Sequence, residues 1–511
     1  MNFVEQLPAL PIIVPLLLAP ITLLLPNGRP AWAFATLISW AVFFFCAALL
    51  YQVYTHGPIS YYLGGWAPPL GIEYRVDLAN GLLLFLVSGI GALVFPYAYH
   101  SIMSEIDAKQ TPAFFAALLL CMTGLLGVTI TGDAFNVFVF LEISSLSTYA
   151  LVAIGAGRDR RALTAAFNYL VMGTIGATFF VIGIGLLYQA TGTLNMADLQ
   201  AHLTTLDNRM VQSGFAFILV GMGLKLAMFP LHLWLPNAYT YAPSAVSVFL
   251  AATATKVAVY VLIRFFFSIF HTEYVADFGS LYLALRFAIL PVAVAGMFIA
   301  SFVAVFQDDI KRILAYSSVA QIGYMLLGLS LATEAGLTAT MVHMFNHALM
   351  KAALFMAVGC VMLRLGGHTL KNFESLAYRM PLTTAAFLIS GLSLVGVPLT
   401  VGFVSKWLLL QATFEAGQWI ASFLIVASSL IAVVYVGRIV EVMVRKPADG
   451  AVLEPVKEAP LSMLLPMWLL VIANVYFGLQ TDLTVDIARG AAQAFGMSGD
   501  IGISISGGTA H

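Results

Sequence analysis

Glu142, Lys225, Lys256, Lys351 and Lys406 each stand inside an apolar run long enough to cross a lipid bilayer. A charge at the bilayer centre costs on the order of 3 kcal/mol on the most lenient scale. Five cost roughly 15 kcal/mol, about the net stability of an ordinary domain. Buried groups that take and release protons are the working parts of an ion transporter, and that is the chemistry these residue types permit. Glu142 lies about nine residues into its run, roughly 14 Å deep at about 1.5 Å per residue, near the midplane. Pairing with Lys225 favours the charged form of both, so making or breaking the pair alters the proton affinity of the next group. Lys225 and Lys256 fall near the middle of adjacent runs, where two close ammonium groups repel and one is ready to pass its proton on. His343, His347 and Lys351 step by four and therefore share one helix face.

Histidine passes protons in either direction near neutral pH. Metal binding by the two histidines is disfavoured, because no carboxylate is placed beside them in sequence. Lys406 follows a break in its run, toward the outer half, a position suited to the last station before release. His232, between Pro230 and Pro236, is equally compatible with capping freed backbone and with relaying a proton. Ser144, Thr255, Ser317, Ser318 and Tyr324 have side chains that can hold water chains, whereas Asp308, Asp309, Lys311 and Arg312 read as a solvated loop.

The elements that must position these groups are membrane helices. Of 511 residues, 61% are hydrophobic and 9% charged, with mean hydropathy +0.95, against about 25% charged in soluble chains. The fold class is therefore an all-α polytopic membrane protein. A net charge of −1 without a basic patch gives no sign of a nucleic-acid partner. Cys46, Cys121 and Cys360 form no CxxC or Cys/His pair, which excludes a zinc or iron–sulfur framework built from this chain alone. The first residues lack the basic region of a cleaved signal peptide, so the first span is expected to be retained.

At about 20 apolar residues per helix, spans fall near 9–26, 31–52, 79–100, 112–130, 133–154, 164–190, 211–235, 244–268, 281–305, 310–331, 336–363, 382–411, 418–440 and 460–480. With both termini outside, the inner loops hold fourteen Lys and Arg (Arg29, Lys109, Arg158, Arg160, Arg161, Lys311, Arg312, Arg364, Lys371, Arg379, Arg438, Arg445, Lys446 and Lys457), and the outer segments hold Arg75, Arg209 and Arg489. That distribution has the positive-inside sense. Residues 53–78, with Gly64-Gly65-Trp66 and Pro68-Pro69, read as an outer hairpin or cap, and residues 191–210 as a polar outer segment with Asp198 and Asp207. The Gly/Ser-rich tail from about Gly496 is expected to be mobile.

Span 7 is interrupted after Lys225 by Pro230 and Pro236, and span 12 before Lys406 by Gly396-Val397-Pro398. Interruptions five spans apart suggest two inverted five-helix repeats, spans 4–8 (112–268) and 9–13 (281–440), within a single membrane domain.

These residues also carry a resemblance. Phe140-Leu141-Glu142, Gly223-Leu224-Lys225 with Pro230-Leu231-His232-Leu233-Trp234-Leu235-Pro236, and Pro243-Ser244 followed by Lys256 carry its first half. Asn346-His347-Ala348-Leu349-Met350-Lys351, with His343 before it, and Gly402-Phe403-Val404-Ser405-Lys406 carry its second. Over about residues 60–445 the chain resembles the antiporter-like subunits shared by Mrp cation/proton antiporters and respiratory complex I. The M type of complex I usually has glutamate where this chain has Lys406, and both the L type and the large A type of Mrp are much longer. The wording is most similar to the D type of Mrp, with the complex I N type or a membrane-bound hydrogenase subunit as the alternative.

The resemblance implies a fourteen-helix fold with inverted repeats and a midplane proton path in the bacterial cell membrane. It further implies inward proton flow driving Na⁺ outward and obligate partner membrane subunits. Glu142 and Lys225 are the expected switching pair and Lys256 the central relay. His343, His347 and Lys351 join the halves, and Lys406 serves the outer opening. No nucleotide, flavin or quinone motif is visible, so no cofactor is expected and the chain reads as a transporter subunit and not an enzyme.

Overall fold

The computed structural model of the chain describes residues 3–26, 28–203, 209–270, 285–446 and 456–496. Asp207, the start of span 9 at 281–284 and the tail beyond residue 496 lie outside the described residues, as does the side chain of Arg286. In hydrocarbon every backbone polar group needs an internal partner, which makes helices the natural outcome of these apolar runs. Among the described residues, eleven helices are individually long and apolar enough to cross a membrane. Span 1 (Leu10–Thr22) is shorter. Span 7 is two helices in series, Arg209–Lys225 and Trp234–Tyr241, and span 12 likewise, Pro381–Val395 and Val401–Glu415. These three, with the eleven, account for the fourteen expected crossings.

Spans 3 (Leu78–Glu105), 4 (Thr111–Ile130), 8, 10 (Ile310–Ser330) and 11 (Glu334–Leu365) are mostly buried and form the centre. Spans 2 (Arg29–His56), 6 (Arg161–Thr191), 13 (Trp419–Val444) and 14 (Leu461–Leu479) bury fewer than half of their residues and form the rim. Caps fix where several helices start. Asp77 accepts from Ala79 N and Asn80 N at the head of span 3, while the Asn80 side chain accepts from Asp77 N, a reciprocal capping box. Asp133 caps span 5 (Ala134–Ile154) through Asn136 N at 2.7 Å.

Both proline-bearing interruptions are real, and a third appears that no Pro or Gly announces. Span 8 runs as Ser244–Ala252 and Ala254–Ile263, divided at Thr253 (φ −121°, ψ −57°), and ends in a π-helical turn, Arg264–Ile269. In span 7, Ala227 takes φ +60°, and Leu224 O at the break accepts from both Ala227 N at 3.2 Å and the Trp234 indole at 2.9 Å. In span 12, Gly396 takes φ +99°, the left-handed turn that ends the first helix, a conformation other residues rarely adopt.

The basic loops gather at one end of the bundle. Arg158 donates to Gly366 O, His368 pairs with Asp309 at 2.9 Å, Arg438 with Asp308 at 2.6 Å, and Arg364 donates to Glu458 O. At the opposite end lies the hairpin β1 (Ile59–Tyr62) with β2 (Glu73–Val76), antiparallel, where the Gly/Pro-rich segment suggested a hairpin. A short amphipathic helix, Asp482–Ala494, packs there against spans 3 and 11.

The first half of span 7 is held on span 6 by glycines. A Cβ on Gly221 would lie 2.6 Å from Gly176 O, and one on Gly183 2.7 Å from Gly214 O, so the helix backbones touch. Leucine there leaves no room and costs more than the ~1–3 kcal/mol usual for overpacking. Gly221→Leu is therefore expected to lower the thermal midpoint and the yield of folded protein in detergent, checked by a thermal-shift series on the purified variant; an unchanged midpoint contradicts this packing.

Candidate functional site

Every break in the bundle has a lysine beside it. Lys225 ends the first helix of span 7, its ammonium 3.5 Å from Glu142 Oε1 and donating to Ser145 Oγ at 2.7 Å. Lys256 follows the break in span 8 and donates to Ala251 O, a carbonyl that the Thr253 interruption leaves without a helical partner. Lys406 donates to Leu394 O at 3.1 Å and Val395 O at 2.9 Å, the last carbonyls before the break in span 12. Lys256 and Lys406 therefore sit where unwound backbone supplies acceptors that an unbroken helix would consume, whereas Lys225 takes its partners from side chains of span 5. Lys406 lies beyond the break in sequence, but its ammonium turns back to the break itself, nearer the middle of the span than its position suggests.

The second half of the bundle forms a connected polar chain. Lys351, fully buried, donates to Leu314 O at 2.8 Å and to Ser317 Oγ. One turn before it His347 is buried, and neither ring nitrogen has a hydrogen-bond partner among the described residues. Its ring stacks on His343 at 6.0 Å with 6° between planes, as the spacing of four requires. His343 Nδ1 shares a 2.8 Å hydrogen bond with Ser405 Oγ, the residue before Lys406. Lys406 Nζ lies 5.1 Å from the centre of the Tyr324 ring, whose hydroxyl meets Ser429 Oγ at 3.1 Å. The first half of span 8, which ends at the break beside Lys256, packs against span 11, the helix that carries the stripe.

Not every expected neighbour is reached. Lys225 meets Glu142 and Ser145 and not Lys256. His232 is buried between Phe229 and Tyr316, its carbonyl accepting from Leu235 N and its Nδ1 without a hydrogen-bond partner among the described residues. Pro230 and Pro398 stand in the two interruptions, outside the helices. Of the hydroxyls named from the sequence, those of Thr255 and Ser317 accept from the lysines, Tyr324 presents its ring to Lys406 while its hydroxyl turns to span 13, and Ser144 and Ser318 bond back to their own helices. Sequence reasoning misses Ser145 and Ser405; the available signal is that Ser145 lies one helical turn from Glu142 and Ser405 directly precedes Lys406.

Lys311 departs from expectation most clearly. It is 1% exposed and donates to Ala242 O at 2.9 Å and Ser247 Oγ at 3.2 Å. Span 10 starts at Ile310, so Lys311 already points into the bundle, while Asp308 pairs with Arg438 on the rim. Lys311 and Glu105 line a cavity of about 140 Å³ at the basic end, with Arg158, Asp159, Thr240 and His368. Glu105 is a further residue that sequence reasoning misses; it accepts from Ser101 Oγ and from Ser244 N at the head of span 8.

The family model described as NADH:quinone oxidoreductase/Mrp antiporter, transmembrane, matches residues 131–432, more than half of the chain. The chain belongs to this family. It is an antiporter-like membrane subunit, and the matched stretch contains every lysine and histidine of the buried line described above. It is 41% identical to the N subunit of the NADH-quinone oxidoreductase of Desulforudis audaxviator, over 93% of this chain and 96% of that one. It is 33% identical to the D subunit of the Na⁺/H⁺ antiporter of Alkalihalophilus pseudofirmus, over 75% of each. Among solved structures it superposes on a chain of the membrane-bound sulfane sulfur reductase, an archaeal respiratory membrane complex, with TM-score 0.87 and 31% identity over 96% of this chain and 98% of that one. A chain of the Mrp complex from Dietzia superposes with the same TM-score at 25% identity, over 97% of this chain and 98% of the other.

Proposed function

We propose that this antiporter-like subunit carries protons across the membrane along a midplane line, as part of a multisubunit Na⁺/H⁺ antiporter. The line runs from the Glu142–Lys225 switch through Lys256 to Lys351, His347 and His343, and on to Lys406. The observation that carries the reading is the placement of a lysine at each of three helix breaks, with the Lys351–His347–His343–Ser405 stripe leading to the lysine at the break in span 12. A proton moves between groups a few ångströms apart, directly or through one water, when neither group is pinned in a single ion pair. Along this line, among the described residues, the acid–base ion pair is at the Glu142 end, where closing it biases the next lysine. The basic loops face inward on the positive-inside rule, which puts both termini outside.

Partner subunits follow from Glu142 itself. Its side chain is 26% exposed near mid-span, between Phe135, Val139 and Leu146 on the bundle surface. Oε1 itself is buried, but a carboxylate side chain left partly exposed on an apolar helix face is costly in lipid, which supports a neighbouring membrane subunit covering this face of span 5.

The 41% identical relative, the N subunit of an NADH-quinone oxidoreductase, favours a second reading in which the same line pumps protons outward, driven by a separate redox arm. Everted vesicles separate the two. Antiport predicts that Na⁺ collapses a preformed ΔpH with no electron donor present; a ΔpH that Na⁺ leaves intact and that forms only when a donor is supplied rejects antiport in favour of the redox-driven pump.

A further inference from the structure

Span 8 carries a second polar stripe that the midplane line does not use. From Lys256 the residues Tyr260 and Arg264 follow at steps of four, on one helix face, and reach about 12 Å toward the hairpin end at about 1.5 Å per residue. The Tyr260 hydroxyl donates to Thr129 O at 3.2 Å and accepts from Arg264 Nε at 3.0 Å. Arg264, 8% exposed, closes the stripe with a 2.7 Å ion pair to Asp77 Oδ2. Asp77 is itself fixed, its Oδ1 capping the head of span 3. The Phe495 ring covers the guanidinium at 5.0 Å. Beyond it lies a cavity of only about 20 Å³, lined by Glu73, Asn80, Thr131 and Ser268 among others. The basic end of span 8, by contrast, opens on the 140 Å³ cavity beside Lys311.

We propose that Arg264, tethered by Asp77, is an electrostatic seal that closes the outer end of spans 4–8. Guanidinium does not give up its proton in proteins, so Arg264 cannot pass one on, and its fixed charge repels any cation entering the stripe. A positive group in a narrow polar path excludes protons and cations in the same way in other pores. The seal leaves a proton on Lys256 one way forward, across the midplane to span 11, and prevents a direct short circuit between the two faces. This inference rests on the reading of Lys256 as a proton carrier.

The test uses the intact complex in proteoliposomes with a potassium/valinomycin potential, a pH-sensitive dye inside, and neither Na⁺ nor electron donor. Arg264→Gln is expected to admit protons on the order of tenfold faster than wild type, while Arg264→Lys, which keeps the charge, stays tight. Adding Lys256→Met to Arg264→Gln restores tightness, because the leak runs through Lys256. Should Arg264→Gln fail to assemble, the paired variant Arg264→Gln with Asp77→Asn carries the test, since it removes the guanidinium without leaving a buried carboxylate unpaired and is expected to leak. An assembled variant as tight as wild type, or a leak that survives Lys256→Met, overturns the seal. With wild-type exchange intact in the same preparation, either result leaves the proton-relay reading standing. A wild-type complex that moves no protons removes both.

Discussion

Lys225→Ala lowers cation-driven proton exchange on the order of a hundredfold, the low end of what a positioned proton-transfer group contributes, with assembly retained. Its ammonium is the only cation on Glu142 among the described residues, and it also holds Ser145 Oγ. Removing it takes away both the switch and the next proton acceptor. Assembly survives because span 7 is fixed on span 6 by glycine contacts, and the Trp234 indole satisfies Leu224 O independently of the lysine. Lys225→Arg sharpens the test. It keeps a positive charge beside Glu142 but not a releasable proton, so it is expected to assemble as wild type and to exchange no faster than Lys225→Ala. Exchange near the wild-type rate in either variant shows that the pair is not part of the path.

Lys351→Met is the second large effect, and here function and stability should separate. Lys351 is fully buried and its hydrogen bonds go to Leu314 O and Ser317 Oγ, with no carboxylate partner among the described residues. Replacing buried ionic groups by apolar side chains of similar volume is often neutral or stabilising, so the thermal midpoint is expected to hold or rise. Exchange is expected to fall on the order of a hundredfold, because Lys351 and His347 stand on span 11, the helix against which the first half of span 8 packs. A midpoint that drops together with activity would instead assign Lys351 a structural role.

Much of this was legible in the sequence because membranes make charge conspicuous. An unpaired lysine within an apolar run stands out without any knowledge of its neighbours, and the step of four in His343, His347 and Lys351 is a local property of one helix. The interruptions of spans 7 and 12 were announced by Pro230 and Pro398, and the hairpin by its Gly and Pro residues. What escaped depends on contacts between distant segments. Arg264 meets Asp77 187 positions away, and Lys311 meets Ala242 69 positions away. Lys311 stands in Asp308-Asp309-Ile310-Lys311-Arg312, a run that looks solvated until span 10 is docked beside span 8. The break at Thr253 sits in Ala251-Ala252-Thr253-Ala254-Thr255, where no residue disfavours a helix strongly, and the contact that satisfies it is a side-chain one that composition does not announce: Lys256, five residues on, takes the carbonyl of Ala251.

The central claim is that one continuous midplane line carries protons through this subunit. Its most direct measurement is proton flux in proteoliposomes containing the intact complex, after an imposed Na⁺ gradient with no electron donor, compared between wild type and Lys351→Met. The account predicts proton counterflow in wild type and only the passive leak of empty liposomes in the variant. Equal fluxes in the two would contradict it, because protons would then be crossing without the group that joins the two halves.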